Sequence, residues 1–310
     1  MPESVLLIIL FLIFWSLPFI AALIELFLKR DAEPIPIDLN RKKEPDYFGN
    51  SFINLLTNAL KKLHIHDMEK LNPVYLKLKL NKEEWLGFLD DEKFIEKKID
   101  VPVVFTTNIS FWQDHIFKKE LVVFGNAVFF NNCVARALYV KGECFIGAPV
   151  RIARWVHVGR SIIVKSNADL GISVYAQEMK IRSSTTFKRA YAKKIDTTDE
   201  LLIDKNSIPK SNVINLEGTL SITGSITIGG RERPVLVDGG IFSDSDVQIE
   251  GDVWIKGNVF SQKSITLKDG VVIGVEGKVK SVVARGEILI KGPFRIYGYL
   301  HSEKRVEISS

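Results

Sequence analysis

Cysteine is nearly absent from this 310-residue chain, with Cys133 and Cys144 the only two. Two thiols build neither a disulfide framework nor a paired CxxC metal site, so they are expected as buried strand thiols in a reducing compartment. Histidine is scarce as well, five in all. His64 and His66 stand two apart and share no helix face, and His115 and His301 are isolated, so no metal-ligand set assembles from them. An excess of one charge is also missing. The 42 basic and 37 acidic residues leave +5, too little and too dispersed for a nucleic-acid face, which gathers Lys and Arg on one surface. No phosphate loop, nucleophile elbow or dinucleotide fingerprint occurs, because the glycines of GGRERP at Gly229 and GDVWIKGN at Gly251 fall inside strand repeats. The expectation is a chain without cofactor, metal, catalytic residue or nucleic-acid partner.

What the chain does have is glycine at fixed intervals. The segments INLEGTLSITGSI (214–226), VQIEGDVWIKGNV (247–259) and ILIKGPFRIYGYL (288–300) share one pattern. Each is apolar at positions 1, 3, 7, 9 and 13 and carries glycine at positions 5 and 11. Alternation of period two means strand, and glycine at a constant interval means a backbone turned at a constant interval. The pattern predicts a mainly β protein, a parallel β-helix or β-solenoid. Earlier in the chain Gly125, Gly142, Gly159 and Ala176 follow one another at steps of 17 residues, as corners of successive coils would. Between these stretches the pattern lapses at Asp196, Asp199, Glu200 and Pro209. We therefore expect a first block over 99–192, a linker over 193–212 and a second block over 213–310, with a local loss of phase at 270–285.

The N-terminus differs in kind. Residues 5–24, from Val5 through Leu12 and Trp15 to Ile24, are apolar except for Ser16 and Pro18, and at about 1.5 Å per residue this reaches across a hydrocarbon core. A cleaved secretory signal fits less well: residues 1–4 hold no Lys or Arg, the run is long, and no small-x-small site follows. Lys29, Arg30, Arg41, Lys42 and Lys43 come just after it, which places the C-terminal side in the cytoplasm. Residues 1–30 are thus expected as the transmembrane helix of a single-pass cytoplasmic-membrane protein, its first partner the lipid bilayer. Residues 31–98 follow as a proline-bearing tether and a short helical preface. Ser51 is the expected N-cap of a helix whose stripe is Phe52, Leu55, Leu56, Ala59, Leu60 and Leu63. That stripe is expected to cap an open solenoid end, with a short strand over 74–80 and a second helical piece over 82–97.

The run VQIEGDVWIKGNVFSQKSITL, repeated as LIKGPFRIYGYLHSEKRVEI, resembles the coil of the bactofilins, bacterial polymer-forming cytoskeletal proteins. The resemblance covers mainly residues 212–310. It implies a β-helix that assembles end to end at the inner face of the membrane, as a homo-oligomer or filament that can also recruit other membrane or envelope proteins. With VEI standing two residues from the end, Val306 and Ile308 are the expected self-association residues. Two other readings compete. A hexapeptide-repeat acyltransferase would use His157, in RWVHVG, as general base, but a base needs an orienting partner and an open pocket. An envelope-side β-helix would have the opposite topology. Asp238, Asp244, Asp246 and Asp252 lack the spacing of stacked calcium turns and are expected as solvated loop carboxylates.

Overall fold

The computed structural model describes residues 45–62, 76–79, 85–89, 97–197 and 213–309. It is mainly β, a solenoid of about 11 turns over residues 98–309 with one short helix. Among the described residues no helix is long and apolar enough to cross a membrane. Residues 5–24, and with them Val5, Leu12, Trp15 and Ile24, lie outside the described residues, as do Lys29 and Arg30.

Each coil contributes three short strands whose inward side chains are mostly aliphatic or phenylalanine. In the first block the columns run Val103, Leu121, Leu138, Val156, Val174, Ala190 on one face and Ile109, Ala127, Cys144, Ile162, Met179, Ile195 on the next. The third holds His115, Cys133, Val150, Ala168 and Thr185. Both cysteines are buried in these columns. Strands stack in parallel register, so every coil supplies hydrogen bonds and apolar cover to the one above it. Gly125 and Gly142 do stack, the Gly142 N–H donating to the Gly125 carbonyl at 3.0 Å. The next coil carries one extra residue, a bulge between Ile152 and Trp155, which moves Gly159 one place out of the line expected from a uniform step.

In the second block the three repeat segments do not all begin on one face. Val247 and Ile288 share a column with Ile226 and Ile265, while Ile214 belongs to the column of Val235, Val253, Val271 and Phe294. The pattern marks a corner and two strands, and a coil has three such corners. Gly218, Gly251 and Gly292, at the fifth position of each segment, have φ of 77°, 77° and 78°, a left-handed conformation that only glycine adopts without strain. The loss of phase at 270–285 is an inserted turn. The coil stays paired on both sides of it, Ile255 with Ile273 and Val259 with Val282.

Two expectations about the preface are corrected. The helix Tyr47–Lys62 lies on the flank of the first block, with the Phe52 ring 5.9 Å from Trp155, and not on a solenoid end. The segment expected as a second helix holds the strand Trp85–Leu89, which pairs antiparallel with Leu76–Lys79 and parallel with Val103–Phe105. That hairpin covers the first end of the block, because an open edge demands backbone partners that a helix cannot supply.

The blocks join in a way the repeats do not reveal. The last strand of the first block, Thr185–Asp196, pairs antiparallel with the terminal strand Phe294–Ser309. Thr185 faces Ile308, Phe187 faces Val306, Ala190 faces Leu300 and Ile195 faces Ile296, so all three columns continue across the junction into one core. The expected linker is shorter on its near side, since the strand runs to Asp196; residues 198–212 lie outside the described residues. Final coil meets final coil, and the first coil of the second block is left as the far tip.

Candidate functional site

Val306 and Ile308 are fully buried against Phe187 and Thr185. The expectation that they form a free terminal edge is therefore corrected, for the same chain already supplies the coil that covers them. The junction is also polar in one corner. Asp196, 1% exposed, lies 2.9 Å from Lys194 Nζ and 3.4 Å from Arg295 Nη2. A carboxylate so buried needs such cations to remain charged. Half-buried His301 stands opposite Arg189, and burial together with that guanidinium lowers its pKa.

Among the described residues the open edge is at the other end of the second block: there Ile214–Leu216 pairs only with Val235–Val237, and Leu220–Ile222 only with Ile241–Ser243. Ile214 is 44% exposed, and Leu216, Leu220, Ile222 and Ile226 are half-buried, whereas Val237, Ile241 and Val247 one coil inward are buried. Over residues 214–229 the only charge is Glu217. Natural edges are blunted with lysine, proline or inward charges, and the three strand segments within 214–229 have none of them, Pro234 and its charged neighbours falling in the bulge that ends the coil. The charge-poor segment was visible in the sequence. Which end of the block lay open was not, because it depends on the reversal at the junction.

His157 lies in a ladder of stacked rings one coil apart: Tyr139 at 5.0 Å, His157, Tyr175 at 4.7 Å and Tyr191 a further 5.7 Å on. The helix Tyr47–Lys62 covers it. Gly49 is pressed so closely onto the imidazole that a Cβ there would clash with the ring, Phe52 meets Trp155, and Arg189 lies 5.4 Å over the Phe48 ring. His157 is 6% exposed and its Nδ1 finds no hydrogen-bond partner among the described residues. Burial pushes its pKa down to about 4, with Asp46 pulling weakly upward. A general base needs substrate at the ring and a group to orient it, and here helix and aromatic neighbours occupy both faces. The step of 18 between Tyr139, His157 and Tyr175 was readable in the sequence once the coil length was known.

The remaining polar candidates serve the coils. Asp238 pairs with Lys256, Asp244 accepts the Gly224 N–H at 2.6 Å, and Asp246 accepts the Ser264 N–H at 3.0 Å. The Asp244 and Asp246 carboxylates cap corner amides of the neighbouring coil. Among the described residues no three His, Cys, Asp or Glu side chains gather to hold a metal ion. Burial raises the pKa of both thiols, that of Cys144 to about 12, which makes them poor nucleophiles.

The architecture defines the class, a mainly β solenoid with a helix on its flank. Comparison with protein-family models, curated proteins and solved structures found no match.

Proposed function

We propose that this chain is a bactofilin-like structural scaffold, anchored by residues 5–24 to the cytoplasmic membrane with the solenoid on the cytoplasmic side, where it self-associates or recruits partners. The observation that carries the reading is the open first coil of the second block. Its backbone edge, without a partner among the described residues, and its half-exposed aliphatic row are the surface a second solenoid coil would cover, as the two final coils cover each other within the chain. Two copies related by a two-fold axis would meet tip to tip through this one patch.

The test is light scattering on the full chain in detergent micelles. Wild type is expected as a dimer or larger, and Ile214→Lys together with Ile222→Lys as a monomer with an unchanged circular-dichroism β signal. Wild type that stays monomeric at high concentration and low salt removes self-association. A reporter fused after Ser310 that is active only outside the cytoplasm would reverse the topology.

A further inference from the structure

A second aromatic ladder runs along the flank of the first block, and among the described residues no helix lies over it. The register aligning Phe111, Phe129, Ile146, Val164 and Ile181 puts the residues after them, Trp112, Phe130, Gly147, Lys165 and Arg182, in one line up the flank. Trp112 is 60% exposed and Phe130 41%. Their rings stack at 4.0 Å with planes 19° apart. Phe145 extends the stack 6.4 Å further by leaning over Gly147, where an added Cβ would meet its ring at 2.8 Å. The Lys165 ammonium then sits 5.3 Å over Phe145. With coils about 4.8 Å apart, the line is aromatic over its first three coils and cationic over the next two.

We propose that this line is a lipid-contact ridge, its aromatic part entering the boundary between headgroups and acyl chains of an anionic bilayer while Lys165 and Arg182 meet the phosphates. The proposal rests on the anchored reading only for the nearness of a bilayer. The shape selects this occupant. Phe130 stacks on Trp112 and is flanked by the tilted Phe145 ring, so the ladder stands out as a ridge of ring edges and not as a flat platform. A docked helix needs a hollow, as Gly49 and His157 provide on the covered ladder, and here Phe145 fills the one glycine gap. A soft interface accepts protruding ring edges, and Trp with neighbouring cations is the chemistry of membrane boundaries. The adjacent carboxylate of Asp114 is turned to the Asn132 backbone N–H at 3.1 Å.

The test places a polarity-sensitive dye at Asn132→Cys in the full chain, with the exposed Gln262→Cys as the control. Cys133 and Cys144 are buried and stay unlabelled. In phosphatidylcholine vesicles with phosphatidylglycerol, the dye at 132 should shift to the blue and the dye at 262 should not. Trp112→Ser with Phe130→Ser should abolish the shift, and Lys165→Glu with Arg182→Glu should remove its dependence on phosphatidylglycerol. A dye at 132 that stays water-like with both lipids overturns the ridge, and so does a blue shift without lipid, which would mark contact between copies. Flotation with the vesicles reports separately on residues 5–24, so failure of the anchor is distinguished from failure of the ridge.

Discussion

Alternation along a single strand decides what a substitution does. Ile255 is fully buried in the column that continues to Ile273, while Lys256 beside it points outward to Asp238, its ammonium 5.9 Å from the Trp254 ring. Ile255→Asp places an unpartnered carboxylate among aliphatic side chains, a cost of several kcal/mol, and stacking spreads the damage to neighbouring coils. Lys256→Glu loses one half-exposed ion pair and sets two carboxylates side by side, about 1 kcal/mol. Thermal unfolding should thus drop steeply for the first variant and little for the second. Equal melting temperatures for Ile255→Asp and wild type would mean that the strand register is wrong.

At the scale of the element, the helix Tyr47–Lys62 couples a titratable ring to a packing contact. His157 has a pKa of about 4 under the helix against an ordinary 6.5, so docking excludes the protonated ring. Above pH 6.5 both covered and uncovered rings are neutral and docking is unaffected. Between pH 6.5 and 4 the uncovered ring binds a proton that the covered one refuses, and docking weakens by up to about 3 kcal/mol, levelling off below 4. Asp46, Tyr139, Tyr175 and Arg189 are the other ionisable groups around the contact, and none replaces the imidazole in the ladder. Amide exchange of the helix, corrected for its intrinsic pH dependence, should speed up between pH 7 and 5 in wild type. In His157→Phe, which keeps the stacking but cannot be protonated, it should not. Identical corrected protection in wild type at the two pH values would sink the coupling.

The same helix marks the limit of what the sequence shows. Its middle was legible from Phe52, Leu55 and Leu56, but it starts at Tyr47, so Ser51, expected as its N-cap, lies inside it. Nor does the stripe say which surface it meets, for Leu56 is buried and Leu55, expected in the stripe, is 61% exposed. Strand identity was legible because the alternation and the fifth-position glycines act within one coil. Stacking register was less so, since bulges and inserted turns change the coil length where no residue type announces it. The strand Trp85–Leu89 was missed because its pairing partner, Val103–Phe105, lies in a different coil.

For the whole molecule the governing feature is the reversal at the junction, which no local pattern could disclose because it pairs residues about a hundred or more positions apart. It divides the roles of the two ends of the second block: the last coil belongs to the internal core, and the first is the one the proposed self-association would use. Replacing Val306 and Ile308 by lysine, on the view of a free terminal edge, would leave the fold intact and remove self-association. With both side chains buried opposite Phe187 and Thr185, two lysines must instead force the blocks apart, since unpaired buried ammonium groups cost several kcal/mol each. Asp196 would also be exposed as its pairing with Arg295 across the junction was lost. Calorimetry should then show wild type unfolding in one transition and the double variant in two, with the second block the less stable. The tip is untouched by these changes, so the variant below its first transition should remain as associated as wild type. A single transition at the wild-type temperature, or a folded monomer, would return Val306 and Ile308 to the free edge and place the contact between chains at the opposite end of the block.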